Sequence, residues 1–122
     1  MSSSKVTLGE RLRQRRLELG IGLRELASKV GISPTFLSRV ETNDEKSPPA
    51  EKNLRALAEQ LQLDADELLT LAGRVSSDVV EMLIRDPGLL AFLRTASAEG
   101  FGSTKLRELF QSWKAAQDAR PA

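Results

Sequence analysis

The chain has 122 residues, a net charge of +1, 40% hydrophobic and only 4% aromatic residues, and neither His nor Cys. That length allows one ordinary domain, or a small domain with an extension, and leucine must fill most of the core. Without His and Cys there is no disulfide, no thiol nucleophile, no usual zinc ligand set and no common catalytic base, so the inventory argues against an enzyme, a metal site or a cofactor.

Thr7 followed by Glu10 forms a capping box ahead of Leu8, Leu12 and Leu19, which predicts a first helix from residue 8 to Leu19, stopped at Gly20. Leu23, Leu26, Ala27 and Val30 recur at helical spacing and predict a second helix over 23–30. Gly31 stands where the chain must turn, a place for positive φ. Ser33 as cap and Pro34 in the first turn predict a third helix over 34–42, burying Leu37 and Val40 and leaving Thr35, Ser38 and Arg39 toward solvent. The polar segment from Thr42 to Pro49 is expected as a loop, followed by a fourth helix over 49–61 with Leu54, Leu57, Ala58 and Leu61 inward. Asp64 with Glu67 predicts a capped fifth helix ending near Gly73. Beyond it, Ser76 or Ser77 is expected to cap a helix carrying Val79, Val80, Leu83 and Ile84. Asp86-Pro87 starts another, and a break at Glu99–Ser103 precedes the last. The division expected is therefore residues 1–73 as one all-α domain and 74–122 as a short helical extension.

A short rigid helix with a small polar and cationic outer face is what a DNA major groove accepts. The strings Leu8-Gly-Glu-Arg-Leu-Arg, Leu23-Arg-Glu-Leu-Ala, Val30-Gly-Ile-Ser, Phe36-Leu-Ser-Arg-Val-Glu41, Leu54-Arg-Ala-Leu-Ala and Leu63-Asp-Ala-Asp-Glu-Leu-Leu69 follow one another in order. Together they resemble the phage repressor and Cro type of helix-turn-helix domain, the Xre family. The resemblance covers Leu8 to about Ala72. It implies a five-helix, lambda-repressor-like domain that regulates transcription on double-stranded DNA, most simply as a dimeric repressor on a palindromic operator. It also implies a largely buried ion pair between Arg16 and Glu41. Base readout falls on Ser33, Pro34, Thr35, Ser38 and Arg39, with Arg39 the candidate for guanine and a phosphate contact as its alternative.

Charge distribution supports a polyanionic partner more than net charge does. Residues 1–55 hold eleven Lys or Arg against seven Asp or Glu, whereas 56–73 hold four acids and no base. The run Arg11, Arg13, Arg15 and Arg16 is either a solvated helix face or, in part, a phosphate contact. Arg13, Arg24, Thr42, Asn43 and Lys46 are the expected phosphate-binding residues. The family's usual Ser or Thr followed by Gln at the start of the second helix is replaced by Gly22 and Leu23, so the cap is weakened and the glutamine's phosphate contact is lost.

The extension carries two apolar stripes, Leu89, Leu90, Phe92 and Leu93 on one helix and Leu106, Leu109, Phe110 and Trp113 on another. They are expected to form a dimer contact, with padding of the first domain's core as the alternative. A second functional reading is an antitoxin or other interaction module, so a toxin or anti-repressor protein joins DNA and a second copy as a possible partner. No apolar run approaches a membrane span, and the polar start Met1-Ser-Ser-Ser-Lys5 does not read as a secretion signal, which leads to an expected cytoplasmic location.

Overall fold

The computed structural model describes residues 6–120, and every regular element among them is helical. The order is α1 (Leu8–Glu18), α2 (Leu23–Val30), α3 (Pro34–Glu41), α4 (Glu51–Leu61), α5 (Ala65–Leu71), α6 (Ser77–Arg85), α7 (Pro87–Ala98) and α8 (Ser103–Asp118). The chain divides into two compact units, one running to Ser77 and one from Asp78. None of the described helices is long and apolar enough to cross a membrane.

Local chemistry sets the boundaries of the first three helices. Thr7 Oγ1 accepts from Glu10 N at 3.1 Å while Thr7 N donates to Glu10 Oε1 at 3.0 Å, a reciprocal cap that satisfies two otherwise orphaned amides. Gly31 closes α2 at φ 84°, a conformation costly for any residue with a Cβ. Ser33 Oγ accepts from Phe36 N at 3.0 Å and Pro34 occupies the first turn of α3. As Gly22 foreshadows, α2 starts with no side-chain cap.

Leucine does fill the core of this unit. Leu12, Leu26, Leu37, Leu54, Leu57, Leu61, Leu68 and Leu69 are fully buried, one or more from each of the five helices, and Ala27, Val40 and Ala58 complete the layer. Each such leucine contributes about 2–3 kcal/mol by leaving water. Gly9 lets α1 approach the end of α3 closely: a Cβ there would overlap Val40 O, Glu41 O and Asn43 Oδ1.

Three local expectations need correction. α4 starts at Glu51 rather than 49, because Pro48 and Pro49 lie ahead of the cap at Ala50 and their carbonyls accept from Arg74 at 3.1 and 2.8 Å. Asp64 sits at the cap of α5 without a side-chain bond to it, and Glu67 turns instead to Arg11 of α1, Nε to Oε2 2.7 Å. Ser77 begins α6 and donates its hydroxyl to Glu51, while Ser76 Oγ accepts from Arg55 Nη2 at 3.3 Å, so neither serine caps α6 through its side chain. α5 ends at Leu71, close to Gly73 as expected.

In the second unit, Asp86 Oδ1 accepts from Leu89 N at 3.2 Å and Pro87 opens α7. Gly100 at φ 77° ends it, with Phe101 N donating to Ala96 O at 2.8 Å. Leu89, Leu93, Phe101 and Leu106 are half-buried and Ala96 is buried. Phe92, Leu109, Phe110 and Trp113 remain 50–58% exposed and Leu90 36%. Phe110 and Trp113 stack with centroids 5.9 Å apart.

Candidate nucleic-acid interface

α3 is built to present one face and bury the other. Leu37 and Val40 go into the core, and Glu41 goes with them because Arg16 meets it. Arg16 Nε to Glu41 Oε2 is 2.7 Å and Arg16 Nη2 to Glu41 Oε1 is 2.9 Å, a two-point contact with the carboxylate 2% exposed. Arg16 Nη1 also donates to Ile21 O at 3.0 Å, so the guanidinium ties α1, the turn before α2 and α3 together. The hydrogen bonds that Arg16 donates to Glu41 raise its pKa above the ordinary value, more than burial lowers it.

On the outer face, Thr35, Ser38 and Arg39 are exposed, and Pro34 is half-buried. Ser33 is exposed, but its oxygen already accepts from the helix. Arg39 Nε donates to Glu45 Oε2 at 3.2 Å, a partner that sequence reasoning missed. Its only sequence signal was an acid six residues along a polar loop.

The arginine run of α1 proves mostly structural. Arg11 pairs with Glu67, Arg16 with Glu41, and Arg15 Nε donates to Leu61 O at 2.9 Å, satisfying a carbonyl at the C-terminal end of α4. Arg13 is exposed and, among the described residues, has no ion pair or side-chain hydrogen bond; the same holds for Arg24 and Lys46. Thr42 and Asn43 are occupied locally. The Thr42 hydroxyl donates to Asp44 Oδ2 at 2.8 Å, and Asn43 takes φ 62° with its Oδ1 over Gly9. Two sets of groups therefore emerge on this unit: exposed cations on α1, α2 and the loop after α3, and an outward polar face on α3 ending in Arg39.

Residues 9–74 match the model of the helix-turn-helix domain family. The chain is similar to the HTH-type transcriptional regulator SinR of Bacillus licheniformis, 30% identical over 119 residues, covering 91% of this chain and 97% of that protein. It is also similar to SinR of Bacillus subtilis strain 168, 29% identical over 118 residues, covering 90% and 96%. Among solved structures, the crystal structure of SinR in complex with DNA has 33% identity and a TM-score of 0.48, covering 52% of this chain and 98% of that one. With the matched model spanning α1 to α5, the chain belongs to the helix-turn-helix domain family.

Proposed function

We propose that this protein is a sequence-specific DNA-binding transcriptional regulator that acts as a dimeric repressor on a two-fold symmetric operator. The observation that carries the reading is the division of α3 into a face locked into the core and a polar face in solvent that ends in an arginine. Thr35, Ser38 and Arg39 touch base edges in the major groove, with Ser33 and Pro34 at the entry of the helix. Arg39 supplies the fork that fits guanine O6 and N7. Arg13, Arg24 and Lys46 hold phosphate, with no side chain yet committed elsewhere. The curated relatives similar to it over nine-tenths of its length are transcriptional regulators, which supports regulation of transcription over catalysis.

The dimer contact lies on α7 and α8. Phe92 of α7 and Leu109, Phe110 and Trp113 of α8 leave exposed apolar area of the kind that soluble proteins cover. A second copy covers it and aligns two recognition helices on a palindrome. A mobility-shift titration against DNA from upstream of its own gene tests the function. Retardation that survives excess random competitor supports it, and equal displacement by random and specific competitor refutes it.

A further inference from the structure

An acid beside the arginine proposed to read a base is unfavourable toward a polyanion unless it performs a task there. Glu45 is such an acid, and the loop carrying it is held in place. Asp44 N donates to Arg39 O at 2.8 Å, Asn43 N to Val40 O at 3.1 Å, and at the far end Arg74 grips the Pro48 and Pro49 carbonyls. The neighbouring Asp44 carboxylate is taken by the Thr42 hydroxyl, so the two acids have different partners. Glu45 is only 25% exposed, against 56% for Arg39.

The bond uses one particular donor. Glu45 takes Arg39 Nε, and among the described residues no acceptor bonds either terminal nitrogen of that guanidinium. A guanidinium offers donors along its side, through Nε, and at its end, through the two Nη groups. Holding it by Nε leaves the end-on fork for the paired acceptors of a guanine and restrains a long, rotamer-rich side chain before DNA arrives. An exposed ion pair contributes little to stability, so the benefit falls on recognition. The carboxylate also disfavours a phosphate oxygen in the place of the base, because a second anion there would face it directly.

The geometry points to Glu45 as a specificity-determining positioning residue. It orients Arg39 for a guanine and penalises its use as a plain phosphate contact. This rests on the base-reading role given to Arg39 above.

Glu45→Gln in the full chain tests it, with Arg39→Ala beside it. The probes are the duplex enriched by selection from a random library, the same duplex altered at each position in turn, and a random duplex of equal length. Arg39→Ala identifies the base pair that Arg39 reads. At that pair, Glu45→Gln lowers the preference about tenfold, within the range a bidentate base contact supplies. Its binding to random DNA holds or tightens, and the slope of log K against log salt on random DNA steepens by about one unit as Arg39 turns to phosphate. A residue that merely supports the fold would lower both affinities together and reduce the melting temperature. Equal loss on both duplexes, or an unchanged preference at the Arg39 pair, overturns the assignment. If Arg39→Ala alters one pair and Glu45→Gln does not, this inference fails alone. If the wild-type protein enriches no sequence, it fails together with the proposed function.

Discussion

Removing the Glu41 charge while keeping Arg16 isolates the strongest electrostatic contact of the first unit. Glu41→Gln leaves a guanidinium whose side chain is 10% exposed facing a neutral amide, and the two-point contact of 2.7 and 2.9 Å is lost. Breaking a buried pair from one side costs about 3–5 kcal/mol, because the remaining charge is stranded. Arg16→Met should cost at least as much, since it strands a more deeply buried carboxylate and leaves Ile21 O without its donor. Replacing both, as Arg16→Met with Glu41→Leu, removes the stranded charge altogether. That double variant should lie within about 1–2 kcal/mol of the wild type, the residual being mainly the unpaired Ile21 carbonyl. With Glu41→Leu as the matching single variant, the double-mutant cycle should therefore give a coupling energy of about 3 kcal/mol or more. Urea unfolding followed by far-UV circular dichroism at pH 7 measures it. Trp113, the only tryptophan, lies in the second unit and does not follow this one. A loss of 3 kcal/mol should lower the melting temperature of the first unit by about 12–24 °C. Single variants within about 1 kcal/mol of wild type, or a double variant as unstable as the sum of the singles, would show that the two charges do not depend on each other.

Other substitutions test the remaining parts. Gly9→Ala should cost about 1–3 kcal/mol despite alanine's better helix propensity, because its Cβ meets two α3 carbonyls and Asn43 Oδ1; a gain in melting temperature would show that α1 and α3 part easily. The hydrogen bond from Arg55, helped by those from Ser77, holds the Glu51 carboxyl below its ordinary pKa despite a smaller opposing effect of burial. Its stabilising effect is thus present above the unfolded value of about 4.3 and is lost as pH falls through the lower folded value. Glu51→Gln should therefore melt lower than wild type at pH 6, and the gap should narrow as pH falls through the lowered folded value; a pH-independent gap would contradict the linkage. Operator affinity at fixed salt should change little between pH 6 and 8, since the chain has no His or Cys. Truncation after Ser77 should leave a folded monomer whose affinity for a full operator is orders of magnitude lower, as linked half-sites raise effective concentration. A truncated chain that sediments as a dimer would place the contact elsewhere.

What was legible in the sequence was what is local. The Thr7–Glu10 box, the turn at Gly31, the Ser33–Pro34 start and the Asp86–Pro87 start each depend on residues within a turn of one another. The core positions of α4 followed from spacing alone. Arg16 with Glu41, 25 residues apart, came only through family resemblance. The fates of Arg11 and Arg15 were hidden, because their partners lie 56 and 46 residues away and a charge run does not record which of its members turn inward. Gly9 gave no signal either, since a glycine inside a helix reads as a weak former until the neighbouring helix is placed against it. Glu45 was hidden for a similar reason. The loop after α3 looks like a polar connector, and only the fold-back from Asp44 N to Arg39 O brings its acid to Arg39.

The proposed role of α3 is to read DNA sequence through its outer face, with Arg39 as the main base contact. Selection of bound fragments from a random duplex library by the wild-type protein and by Arg39→Ala, sequenced side by side, tests it most directly. The wild type should enrich a two-fold symmetric motif, with a guanine in each half-site whose preference alone disappears in the variant, a loss of about 1–3 kcal/mol in discrimination at that pair. No enriched motif, or the same motif at uniformly weaker binding in Arg39→Ala, would contradict it.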